Sequence, residues 1–76
     1  MENYQRIFSV PVIGISLFLQ ILKAFQERGD MINDAKIIYD FSLDKFIAEI
    51  WFHYHEDYTL FYNVVVSACS SVKTGE

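Results

Sequence analysis

Residues 59–69 read Thr59-Leu60-Phe61-Tyr62-Asn63-Val64-Val65-Val66-Ser67-Ala68-Cys69, and the secondary structure assigned to this run decides the fold. A period of two places Leu60, Tyr62, Val64, Val66 and Ala68 on one side and Thr59, Phe61, Asn63, Val65, Ser67 and Cys69 on the other. The run is rich in β-branched and aromatic residues and poor in strong helix formers, which favours a strand. A helical spacing is also present in Phe61, Val64, Val65, Ala68 and Val72, and Phe46, Ile47, Ile50 and Tyr54 share it. A small all-α bundle is therefore the alternative.

Upstream, a second alternation sets Phe46, Ala48, Ile50, Phe52 and Tyr54 against Ile47, Glu49, Trp51, His53 and His55. A first one sets Ile37, Tyr39, Phe41 and Leu43 against Lys36, Ile38, Asp40 and Ser42. Three strands follow from this reading. A three-residue loop, Glu56-Asp57-Tyr58, would match Tyr54 with Leu60, Phe52 with Tyr62, Ile50 with Val64 and Ala48 with Val66, all apolar pairs. Asp44-Lys45 is the natural turn of the first hairpin, although it would bring Asp40 opposite Glu49, a like-charge pair.

Before the strands, Ser16, Gln20, Lys23 and Glu27 form one polar stripe at helical spacing, and Ile15, Phe18, Ile21, Leu22 and Phe25 fill the other side. This predicts an amphipathic helix from Val10, with Ser9 as its cap, Pro11 in its first turn and Gly29 ending it. The tripeptide Arg28-Gly29-Asp30 is then a helix end followed by a loop, rather than an adhesion motif. Residues 1–9 suit an arm or a short strand, and residues 70–76 a flexible tail. The expected fold is α+β, a single domain over residues 1–76, with one long N-terminal amphipathic helix packed on a three-stranded antiparallel β-meander.

Seventy-six residues allow one hydrophobic core, and a domain this small gains from self-association. Hydrophobic residues make up 53% of the chain and aromatics 17%, more than a minimal core needs, so some apolar side chains face outward. The net charge of -4 argues against general affinity for nucleic acid, which depends on clustered Lys and Arg. The single cysteine, Cys69, cannot close an internal disulfide, which favours the cytoplasm. The apolar stretch from Ile7 to Leu22 is short for a membrane span and is interrupted by Pro11 and Gln20. No small-residue cleavage site follows it, so neither a membrane anchor nor a signal peptide is expected.

Few residues suggest chemistry. His53 and His55, two apart on a strand, share a face, and Glu49, Glu56 or Asp57 could add a third ligand. A metal- or pH-responsive binding protein is the alternative function on this basis. Cys69 falls opposite Lys45 in the strand register, far along the ladder from His53, so a Cys–His pair is not formed. Gly14, Gly29 and Gly75 are isolated and make no phosphate loop, and Glu56-Asp57 suits a turn. No catalytic residue, resident metal or cofactor is expected, and the protein is read as non-enzymatic.

The positive signal is the sheet face left over once one helix covers the other. The register assembles Ile38, Ile47, Trp51, His53, Phe61 and Val65 there, with Trp51 and Phe61 as anchors and Lys36, Glu49, His53 and Asn63 around them. Partner binding is accordingly assigned to Ile38, Trp51, His53, Phe61 and Val65. The expected function is a protein–protein interaction module, a small stoichiometric inhibitor, immunity-type or accessory regulatory protein such as viruses and mobile elements carry. It would engage a protein partner, a second copy of itself, or both.

Overall fold

The computed structural model describes residues 4–29, 31–69 and 73–75. Strand β1 (Tyr4–Pro11) leads through a 3-10 turn at Val12–Gly14 into helix α1 (Ile15–Glu27). Strands β2 (Ile32–Asp40) and β3 (Lys45–Phe52) form a hairpin, followed by helix α2 (His55–Ala68) and the short strand β4 (Lys73–Gly75). The sheet is antiparallel with order β2-β3-β1-β4. The class is α+β as expected, but among the described residues a strand precedes the first helix, two helices are present, and the sheet is not a pure meander. Its connectivity is that of the split β-α-β, or ferredoxin-like, arrangement.

The register explains why β1 belongs in the middle of the sheet. Against β3 it matches Phe8 with Ala48 and Val10 with Phe46 on one face, and Ile7 with Glu49 and Ser9 with Ile47 on the other. The Phe8 and Val10 side chains are fully buried, so burying them offsets the cost of ordering this segment. Residues 4–9 are thus a strand, and the expected helix entry at Ser9 and Pro11 is corrected: both lie in β1. Pro11 is tolerated because β4 pairs only with Ile7, Phe8 and Ser9, which leaves that end of β1 with β3 as its one neighbour among the described residues. Helix α1 starts at Ile15, its Ser16, Gln20, Lys23 and Glu27 stripe faces solvent, and Phe18, Leu22 and Phe25 are buried. Gly29, with φ of 113°, provides the left-handed residue after the helix.

The largest departure is the run 59–69, which is helical. Tyr58, Phe61 and Val65 recur at helical spacing on the face of α2 turned to the core, and Glu56 and Asp57 sit in its first turn, where negative charge suits the helix dipole. Four aromatic partners, Phe8, Phe18, Phe25 and Phe52, surround the Phe61 ring at centroid distances of 5.1–5.8 Å. This packing outweighs the strand preference of Val64-Val65-Val66. The hairpin through Glu56-Asp57-Tyr58 and its apolar pairs do not form. Instead the chain bends at His53-Tyr54 and enters the helix.

The first hairpin has the expected faces and a different register. Its turn spans residues 41–44, pairing Asp40 with Lys45 and Lys36 with Glu49, so each pair joins opposite charges and the Asp40–Glu49 clash is avoided. Asp40 Oδ1 accepts the amides of Ser42 (2.9 Å) and Leu43 (3.2 Å), and Asp44 takes a positive φ of 55°. The Tyr39 hydroxyl donates to the Asp44 carboxylate. That bond, with partial desolvation and the charges of Asp44 and Asp40, raises the phenol above its ordinary value of 10.0. The folded value lies above the unfolded one, so the contact is complete at neutral pH and is lost only as pH climbs through the raised value. In Asp44→Asn the Tyr39 ring, followed by NMR, should titrate closer to its ordinary value. An unchanged titration would contradict the contact.

Candidate functional site

Alternation along the three longer strands gives the sheet two chemically different faces. Phe8, Val10, Ala48, Ile50, Phe52 and Ile32 join Phe18, Leu22, Phe25, Phe61, Val65 and Cys69 in a single core, so both helices lie on the same face. The opposite face is assembled from four cross-strand rows. They are Gln5, Trp51 and Asp34; Ile7, Glu49 and Lys36; Ser9, Ile47 and Ile38; and Pro11, Lys45 and Asp40. None of these residues belongs to the core, and among the described residues no element covers them.

Apolar and charged side chains share this face. Ile7, Ile47 and Trp51 are half-buried by their strand neighbours, and Ile38, on the outer strand, is 44% exposed. Lys36 and Glu49 cross the middle as an opposite-charge row, and Asp34, Gln5, Lys45 and Asp40 close the two ends. A face that carries apolar side chains and charges of both signs is suited to binding a protein.

Of the residues assigned to partner binding from sequence, Ile38 and Trp51 stand on this face, as does Ile47. His53 lies in the bend after β3. Phe61 and Val65 are corrected: they are fully buried on α2, on the other side of the sheet, because the run that carries them is a helix. Ile7 was missed. It lies in residues 1–9, which suit an arm as well as a short strand, so the sequence assigns it to neither face.

The two histidines do not lie on one strand: His53 is in the bend and His55 in the helix that follows. His55 opens α2 and packs edge-on against Tyr4, at 5.7 Å between ring centroids, and against Tyr58 at 5.8 Å. The Arg6 guanidinium lies 4.9 Å from the Tyr58 ring centroid on the same flank. Among the described residues no three His, Cys, Asp or Glu side chains come together as a metal site. Cys69 is buried at the far end of α2 from His55, roughly 20 Å along the helix. Nor, among the described residues, is any helix long and apolar enough to cross a membrane. A second apolar surface gathers at the end of the sheet where β1 stops and β2 turns into β3: Ile13 is 91% exposed and Phe41 89% exposed, with Val12 and Leu43 beside them in the chain.

No family model matches the chain, and no curated protein matches it in sequence.

Proposed function

We propose that the protein is a non-enzymatic interaction module that engages a protein partner through the open face of its sheet. The observation that carries this reading is Trp51, one row from Ile7 and on the same face as Ile38 and Ile47, which lie beyond the Lys36–Glu49 row; among the described residues no helix covers this face. Tryptophan in such a setting offers a large rigid contact at small entropic cost and is a common anchor of interfaces. Lys36 and Glu49 lie between the apolar residues, and Lys45, Asp34 and Asp40 at the ends, so the matching partner combines apolar contacts with charges of both signs. Acting by occupancy, the protein would serve as a stoichiometric inhibitor, an immunity-type protein or an accessory regulator, with the cytoplasm as its compartment.

The test is affinity capture from the native host with three variants. Trp51→Ala and Ile38→Ala should weaken capture of the partner about tenfold or more, while Leu60→Ala, an exposed position on α2, should leave it unchanged. All three should keep the circular dichroism of the parent. Undiminished capture by both Trp51→Ala and Ile38→Ala would overturn the reading.

A further inference from the structure

The outer edge of β2 carries a second, independent feature. This strand is nine residues long and terminates the sheet, with β3 on one side only. Such an edge presents unpaired backbone donors and acceptors, and proteins usually blunt it with charges or a bulge. Here a bulge at Asn33 interrupts the start of the strand and the Asp34 carboxylate accepts the Ala35 amide (2.8 Å), which leaves Lys36–Asp40 as the regular edge. Lys36, Ile38 and Asp40 project on the open face, and Ala35, Ile37 and Tyr39 on the helix-covered face.

We infer that this edge pairs with the same edge of a second copy, antiparallel about a two-fold axis at Ile38. A two-fold requires each residue to oppose its mirror position, and only whole-residue centres keep like faces together. A centre at Ile37 opposes Asp34 to Asp40, two negative charges. A centre at Lys36 opposes that lysine to itself. A centre at Tyr39 sets Asp40 against Ile38 and leaves Lys36 facing Ser42. At Ile38 the pattern is self-complementary: Lys36 meets Asp40 of the second copy twice over, Ile38 meets Ile38, and Ile37 meets Tyr39 on the helix side. The same register carries Phe41, 89% exposed, to the level of Ala35 of the second copy.

The charges that would protect this edge from unrelated strands thus become its specificity for itself. Ile38, which is 44% exposed in one chain, loses part of that exposure against its copy at the axis, and Tyr39, 36% exposed, gains an apolar neighbour. The two sheets join into one, and their open faces become a continuous surface. The inference does not depend on the partner reading of that surface, because it uses the edge and the charge register alone.

Sedimentation of the intact chain should give twice the mass of 8.9 kDa at micromolar to submillimolar concentration. In Lys36→Glu the like-charge pairs with Asp40 should weaken the dimer about tenfold or more. Position is tested by cysteine pairing with Cys69 replaced by alanine. Under mild oxidation Ile38→Cys should form a covalent dimer, since opposed residues of an antiparallel pair lie within disulfide reach. Lys36→Cys should not, its two copies being about 13 Å apart along the strands. Both positions are exposed, so the fold should be kept, as circular dichroism would verify. Adding Trp51→Ala to Ile38→Cys should leave the cross-link intact, so that failure of the open-face reading and failure of this one are told apart. A chain that stays monomeric throughout, or cross-linking of Lys36→Cys as readily as Ile38→Cys, would overturn the inference.

Discussion

Phe61→Ala is expected to leave a chain without a cooperative urea transition at room temperature, followed by far-UV circular dichroism. The ring is fully buried, and Phe8, Phe18, Phe25 and Phe52 pack around it, so it joins both helices to strands β1 and β3. Truncating such a ring costs about 3–5 kcal/mol, from lost transfer free energy and the cavity left behind. A domain of this length has roughly 4–11 kcal/mol of stability in total. A chain this short buries a smaller fraction of its surface than a larger domain does and stands toward the lower end of that range, where the loss consumes most or all of it. Phe61→Leu, which keeps most of the volume, should retain a transition at lower urea concentration. A parental midpoint in Phe61→Ala would show that α2 does not pack as described.

Removal of residues 1–11 should be equally severe. A dispensable arm could be cut away with little effect, whereas β1 is an inner strand flanked by β3 and β4. Its loss takes Phe8 and Val10 out of the core, strips β3 of one neighbour and leaves β4 with none. The remaining β2–β3 hairpin is too small a sheet to be stable by itself. The truncated chain should give no cooperative transition and no dispersed NMR spectrum. A folded product would mean that β1 is peripheral.

What the sequence disclosed followed from the range of the interactions involved. The polar stripe of α1, the end of that helix at Gly29, and the two faces of β2 and β3 were legible because each is written in neighbouring residues at a fixed period. The run 59–69 was not, since Val64, Val65 and Val66 satisfy a period of two as well as helical spacing. Phe61 finds its place only through rings brought from β1, α1 and β3. Strand β1 was hidden for a related reason: Ser9 and Pro11 imitate a helix entry, and the strand acquires its identity by pairing with β3, far downstream. The candidate site divides along the same line. Trp51, Ile38 and Ile47 were assigned correctly to the open face by local alternation, whereas Phe61 and Val65 were drawn onto it by an incorrect strand, and Ile7 was overlooked.

The central claim is that the sheet has one closed face, holding Phe61, and one open face, holding Trp51. The most direct test is urea unfolding of Trp51→Ala beside that of Phe61→Leu, followed by far-UV circular dichroism. Because Trp51 faces away from the core, its truncation should cost about 1 kcal/mol, leave a cooperative transition and preserve the helical signal. A loss in Trp51→Ala as large as in Phe61→Leu or larger would place the indole in the core and contradict the open face.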